Sequence, residues 1–248
     1  MEAGTTISEA LFAVFSHLRQ VYRSDYVYRA AVVSKLFLGR HSPDTTTLLS
    51  ELRVDNCRAD LVMLNGTSSV YEIKTANDTT SRLSSQLEAY TSMFDKIFVI
   101  SDEKHIDTIQ SSTSEHIGIL ELTPRFTIRT IRQPIGNARN VIPSVIFDTF
   151  RKEEWLEATN VIFGKVPDAK PIDLCDACRE MFAKADPNLA HEVMVRLLKK
   201  RKLLKKSDFE IVPEFLTAAF VESSVAPKDW PRLQSILDTT VVPKIQQK

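Results

Sequence analysis

The stretch Arg58-Ala59-Asp60-Leu61-Val62-Met63-Leu64-Asn65-Gly66-Thr67-Ser68-Ser69-Val70-Tyr71-Glu72-Ile73-Lys74 decides how this chain is read. Asn-Gly between two apolar runs is a strong hairpin signal, because tight hairpin turns need the positive φ that Asn and Gly tolerate. Arg58 to Leu64 and Ser69 to Thr75 flank the turn, and Thr47 to Val54 precedes them; all three are short and rich in Leu, Val, Ile and Tyr. The expectation is three successive antiparallel strands. Alternation places Glu72 and Lys74 on one face of the third strand, with Tyr71 and Ile73 on the other. With the hairpin in register, Asp60 points to the first of these faces near Glu72. Three charged groups then converge beside apolar strands, a desolvation cost that marks a candidate site.

Working outward, the sequence changes period on both sides of this core. Upstream, Ile7 to Tyr22 places Ile7, Leu11, Val14, Leu18 and Val21 on one helical face, and Tyr26 to Leu38 does the same with Val27, Ala30, Ala31, Ser34 and Phe37. Gly39 is read as the stop of the second helix, followed by a loop to Thr46. Downstream, Asn77-Asp78-Thr79-Thr80 looks like a helix start rich in capping residues. Arg82 to Phe94 then sets Leu83, Leu87, Tyr90 and Phe94 on one side. Lys96 to Ser101 reads as a strand buried on both faces, the segment from Asp102 to Ser112 as a helix, and Ile117 to Leu122 and Phe126 to Ile131 as strands. Beyond Pro134 the period is helical over Pro143 to Phe163, Leu174 to Leu204 and Glu214 to Val221. The fold class expected is α/β: a mixed sheet flanked by helices over residues 1–134, with two helices at its N-terminal side, then a mainly α-helical region over 135–248.

Composition bounds the class of protein. The chain has 248 residues, 43% hydrophobic and 26% charged, as ordinary globular proteins do. No apolar run approaches the roughly 20 residues of a membrane span, and the first apolar stretch is broken by Glu9, His17 and Arg19, unlike a signal peptide. Three cysteines, Cys57, Cys175 and Cys178, offer no disulfide framework, so a reducing cytoplasmic setting is expected. Cys175-Asp176-Ala177-Cys178 lacks the second ligand pair of a structural zinc site and is read as packing on a helix. Net charge is zero, so any nucleic-acid partner must be sought in local charge.

Asp60, Glu72 and Lys74 are the groups that phosphodiester hydrolysis requires. Hard Mg²⁺ (or Mn²⁺) takes oxygen ligands, commonly one or two carboxylates with water and phosphate. Bound there it activates water and stabilises the leaving oxygen, and a neighbouring Lys orients the water and offsets developing charge.

In this order the residues resemble the PD-(D/E)XK nuclease superfamily. Asp60 of "RAD" matches its motif Asp, although Ala59 stands where a proline is common, and Glu72-Ile73-Lys74 matches its Glu-X-Lys. Glu51, in Ser50-Glu51-Leu52-Arg53-Val54, matches a Glu that often joins the metal site. Gln86-Leu87-Glu88-Ala89-Tyr90 is similar to a Gln and Tyr signature on the helix after the Lys strand. The resemblance implies metal ligands at Asp60, Glu72, the Ile73 carbonyl and Glu51, a water-assisting Lys74, site-shaping Gln86 and Tyr90, and products with 5′-phosphates. Its implied fold is a restriction-endonuclease-like core. The run from "SELRV" through "RLSSQLEAY" is similar to a bacterial and phage subgroup of uncharacterised restriction-endonuclease-like proteins, and about half the chain is covered.

The function expected is a metal-dependent nuclease, with DNA favoured over RNA, in phage defence or mobile-element biology. The alternative is a catalytically silent nucleic-acid-binding module, or a protein that docks a partner or a second copy of itself through its helical C-terminal region. Arg53 and Arg58 either touch phosphate or balance the acidic cluster. Arg82 faces substrate or solvent. The run Lys199-Lys200-Arg201-Lys202 is a phosphate-contact patch or a solvated helix end.

Overall fold

The computed structural model describes residues 4–201, 204–223 and 226–241. Its centre is a six-stranded sheet in sequential order: β1 (Thr47–Val54), β2 (Cys57–Asn65), β3 (Thr67–Lys74), β4 (Lys96–Ser101), β5 (Gly118–Leu122) and β6 (Ile128–Arg132). The first three strands form an antiparallel meander, β3–β4 and β4–β5 are parallel, and β6 returns antiparallel. The hairpin signal at Asn65-Gly66 is realised: Asn65 pairs with Thr67 around Gly66, whose φ is +70°. Each parallel connection carries a helix, as such crossovers usually do.

Helices α1 (Ile7–Val21), α2 (Asp25–Ala31) and the single turn α3 (Leu38–Arg40) lie upstream, with a π-helical segment over Val32–Phe37 joining the last two. The first helix opens with a capping box in which Thr6 and Glu9 bond each other's backbone N–H groups. Its buried residue is Phe15, whereas Leu11, Val14 and Val21 of the expected face are exposed. The reason is aromatic: Phe15 meets Tyr26, Phe126 and Phe215 edge-on or tilted, and this cluster sets the rotation of the helix. The second helix is buried on every side from Val27 to Ala31.

Helix α4 (Leu83–Thr91) links β3 to β4 and α5 (Glu103–Ser112) links β4 to β5. Asp102 caps α5 by accepting from the Lys104 N–H. Asp78 does not cap α4; its carboxylate accepts from the Thr75 N–H (2.8 Å) and closes the loop that leaves β3. That helix starts later than expected, at Leu83, without a side-chain cap.

The C-terminal part is helical: α6 (Pro143–Asp148), α7 (Lys152–Phe163), α8 (Leu174–Phe182), α9 (Pro187–Leu198), α10 (Lys206–Glu210), α11 (Thr217–Glu222) and α12 (Trp230–Leu237). The stretch Pro143 to Phe163, expected to be mainly helical, is two helices, α6 and α7, separated by a turn at Thr149 and Phe150. One apolar core joins Val62, Leu64, Val70, Ile97 and Val99 of the sheet to Ile146, Phe147, Trp155, Phe182 and Met194 of the C-terminal helices. The opposite core joins Leu61, Met63, Tyr71 and Ile73 to the N-terminal helices and to Phe209, Phe215, Phe220 and Trp230. No helix among the described residues is long and apolar enough to cross a membrane.

Candidate active site at the splayed edge of β2 and β3

Plain alternation fails at one place in the meander, and the site is built there. Leu49 and Leu52 enter the same core, as do Ala59 and Val62 on the facing strand. Each pair is three residues apart, a spacing that a regular strand sends to opposite faces. Glu51 takes a left-handed φ of +53°, which resets the alternation of β1. The register places Glu51 opposite Asp60, between the pairs Ser50–Leu61 and Leu52–Ala59.

The β2–β3 ladder ends at Leu61–Tyr71. Beyond it the strands splay, and the Ile73 N–H would lack a strand partner. Asp60 supplies one: its Oδ2 accepts from Ile73 N at 2.7 Å. Asp60 is thus brought beside the Glu72-Ile73-Lys74 strand, through a splayed edge and not through continued pairing.

Glu72 and Lys74 share the face expected of them. Glu72 is 2% exposed, and its two oxygens have different partners. Lys74 Nζ donates to Oε1 at 2.7 Å, and the Tyr90 hydroxyl lies 2.7 Å from Oε2. The same hydroxyl lies 2.8 Å from the Arg58 carbonyl oxygen, so its one proton serves one acceptor at a time. Lys74 Nζ also donates to Gln86 Oε1 at 2.8 Å. The spacing of Gln86 and Tyr90, one helical turn on α4, puts both over the end of β3. Ser101 Oγ donates to the Lys74 carbonyl (2.6 Å), fixing that end of the strand from β4.

Burial pushes the Asp60 carboxyl up to about 7, and the Glu72 charge adds to the rise, against the Ile73 N–H and Arg29. Burial followed by the Glu72 charge also holds the Tyr90 phenol well above its ordinary range.

The residue that sequence reading missed is Arg29. Its guanidinium, on the buried second helix, donates to Glu51 Oε1 (2.7 Å), Asp60 Oδ1 (3.0 Å), the Asp60 carbonyl (3.2 Å), Glu222 Oε1 (3.2 Å) and Asp25 Oδ2 (2.5 Å). Burial works against its charge, but Asp25, Asp60 and Glu51 hold it more firmly protonated than an ordinary arginine. The Glu222 carboxyl is raised by burial, with Arg29 opposing. One signal was present in the sequence: Asp25 and Arg29 form an i,i+4 pair within an otherwise apolar helix.

The expected nucleic-acid contacts divide. Arg58 and Arg82 line one cleft of about 850 Å³ with Gln86, and neither forms an ion pair among the described residues. Arg53 donates to the Asp55 carbonyl and lines, with Glu51, Arg151 and Arg201, a second cleft. In the basic run, Lys199 bonds the Thr45 carbonyl, Lys200 pairs with Glu157 (2.8 Å), and Arg201 pairs with Glu154 and bonds the Thr149 carbonyl. Lys200 and Arg201 are balanced by carboxylates within the fold, and Lys199 is engaged by a backbone carbonyl; Lys202 lies outside the described residues.

The donor set at Asp60 and Glu72 fits a hard divalent cation, being two carboxylates and the backbone carbonyl of Ile73, all oxygens. Further ligands would be water or phosphate oxygens, since among the described residues no three His, Cys, Asp or Glu side chains group to hold an ion unaided.

Comparison with known proteins gives the chain a family. The family model described as bacteriophage P4 protein cII matches residues 19–209, well over half of the chain. The chain belongs to the bacteriophage P4 protein cII family. Protein cII of Enterobacteria phage P4 is 32% identical over 77 residues, which are 30% of this chain and 29% of that protein. The match therefore spans under a third of this curated relative. Among solved structures, the SPO1766 protein of unknown function from Silicibacter pomeroyi matches with a TM-score of 0.36 and 13% identity, over 54% of this chain and 88% of that one. The family match covers α2, all six strands and helices up to α10, so every residue placed at the site except Glu222 lies within it.

Proposed function

We propose that this chain is a metal-dependent phosphodiesterase of the PD-(D/E)XK kind, with a restriction-endonuclease-like core, acting on nucleic acid and preferentially on DNA. The observation that carries this reading is the convergence of Asp60, Glu72, Lys74, Gln86 and Tyr90 where β2 and β3 part beneath α4. Carboxylates and a lysine are not left buried together without compensation, and here each has a designated partner.

Asp60, Glu72 and the Ile73 carbonyl would hold Mg²⁺ or Mn²⁺. When bound, the ion supplies Lewis acidity toward phosphate and lowers the pKa of a coordinated water. The chain's own residues do the positioning. Glu72 and Gln86 take two of the three N–H donors of the Lys74 ammonium, leaving the third for an attacking water or a non-bridging phosphate oxygen. Tyr90 fixes the carboxylate plane of Glu72 through Oε2. Asp60, tied to the Ile73 N–H, keeps the carbonyl edge of β3 aligned with its own carboxylate. Arg58 and Arg82, without ion-pair partners among the described residues, rim the cleft beside Gln86 and suit the phosphates of a bound strand. A cytoplasmic role in phage defence or mobile-element biology is compatible with membership of a phage family.

The alternative reading, binding without cleavage, is favoured by one observation: the Arg29 guanidinium already sits on Asp60 and Glu51.

The deciding experiment is cleavage of plasmid and end-labelled single-stranded DNA with Mg²⁺, Mn²⁺ or EDTA, comparing wild type with Asp60→Ala and Lys74→Ala. Metal-dependent cutting that both substitutions abolish supports the phosphodiesterase. Retarded mobility of DNA without any cutting by folded wild type supports the binding module instead.

A further inference from the structure

Arg29 draws its partners from four separate elements: Asp25 on α2, Glu51 on β1, Asp60 on β2 and Glu222 on α11. One guanidinium therefore faces four carboxylates, and its side chain is 9% exposed. A second cation, Lys74, is occupied with Glu72 and Gln86, so it does not relieve this excess of negative charge. Two of the four acids, Asp60 and Glu51, are those assigned above or by resemblance to metal.

Arginine suits this position in a way lysine does not. Its planar fork donates from fixed directions, and a single terminal nitrogen, Nη2, reaches both Glu51 Oε1 and Asp60 Oδ1. An incoming divalent cation would need oxygens that this nitrogen is using. The other bonds of Arg29, to Asp25 and Glu222, hold the guanidinium in place whether or not the Nη2 contacts survive.

We propose that Arg29 is a positioning residue that occupies Asp60 and Glu51 in competition with a divalent cation and so sets how strongly the site takes up metal. The inference rests on the metal-dependent reading above. It places helix α2 and, through Glu222, helix α11 in control of metal occupancy at the sheet edge.

The test uses Mn²⁺ as probe on the full chain, with free ion counted by electron paramagnetic resonance and bound ion confirmed by the Mn²⁺-dependent rise in melting temperature. Wild type is compared with Arg29→Lys, Arg29→Gln and Asp60→Asn. Removing the guanidinium in Arg29→Gln is expected to tighten Mn²⁺ binding by roughly tenfold or more, because a nearby like charge is removed from a poorly screened site. That result alone would also follow from net charge. Arg29→Lys separates the two, since it keeps the positive charge and loses the fork. Competition for the oxygens predicts that Arg29→Lys also binds Mn²⁺ several-fold more tightly than wild type, whereas a purely electrostatic or structural role leaves it equal or weaker and overturns the proposal. Should Arg29→Gln not fold without metal, Arg29→Lys carries the comparison. Mn²⁺ uptake by wild type that Asp60→Asn abolishes, with Arg29→Lys unchanged, defeats this inference and leaves the metal reading standing. No uptake by any form defeats both.

Discussion

Tyr90 offers a clean substitution at the site, because Tyr90→Phe keeps the ring against Phe94 while deleting the hydroxyl beside Glu72. A buried carboxylate oxygen then loses its neutral donor, which should cost about 1–3 kcal/mol in urea unfolding. Lys74→Met leaves Glu72 buried without its cation and removes the group proposed to orient water. Cleavage should fall by roughly 100-fold or more, the range of a lost acid–base or orienting group, in single-turnover assays at saturating Mn²⁺. A pH effect arises at His191, a buried imidazole 2.8 Å from Ser68 Oγ. Burial holds it below its ordinary 6.5, with the Asp95 charge pulling the other way. The folded state therefore prefers the neutral ring, so its contribution to stability is intact above 6.5 and is lost as pH falls through that value. His191→Gln should flatten the acid limb of the stability–pH curve relative to wild type, in denaturant titrations from pH 7.5 to 5. At this scale the sequence told much. Asp60, Glu72 and Lys74 were legible from strand alternation and the hairpin turn, and Gln86 and Tyr90 from the family resemblance. Arg29 and Glu222 were not, because 193 positions separate them and only the tertiary fold brings them together.

Among the elements, the row Tyr71–Phe98–Gly118 runs across β3, β4 and β5. Tyr71 and Phe98 stack at 5.0 Å with their planes 6° apart, and Phe98 leans over Gly118. A methyl group at Gly118 would meet Phe98 Cδ1 at 2.7 Å and Pro134 Cδ at 3.1 Å. Gly118→Ala should therefore destabilise the chain by about 1–3 kcal/mol, as overpacking does, with the loss visible as a lower urea midpoint. The strands themselves were readable from alternation and the Asn-Gly turn, and β1 and β4 have the expected limits. The left-handed Glu51 was not, since nothing in Ser50-Glu51-Leu52 demands positive φ. The rotation of α1 also escaped periodicity. Its aliphatic stripe is regular, yet aromatic contacts from Phe215, far along the chain, decide which side is buried.

For the molecule as a whole, a change of texture near Pro134 suggested two regions, and the helices after it are present. What composition did not convey is that those helices complete both cores of the sheet. A fragment ending at residue 134 would remove Phe147, Phe182 and Met194 from the core they share with Val62, Val70, Ile97 and Val99. It should show no cooperative unfolding transition by circular dichroism, so deletion of the C-terminal region cannot serve as a neutral control for partner binding. Near the two ends of the described chain, Thr6 and Thr240 form an antiparallel bridge, with backbone bonds from Ile7 N to Thr239 O and from Val241 N to Thr5 O. Both ends of the described chain leave this pair on the same side, so a force that pulls the ends apart runs along these two hydrogen bonds and loads them one after the other. A chain stretched by its termini would open this clasp first, at low force, and then peel α1 and α12 from the rest. The sheet that holds Asp60 and Glu72 would bear load only after both helices had been stripped away.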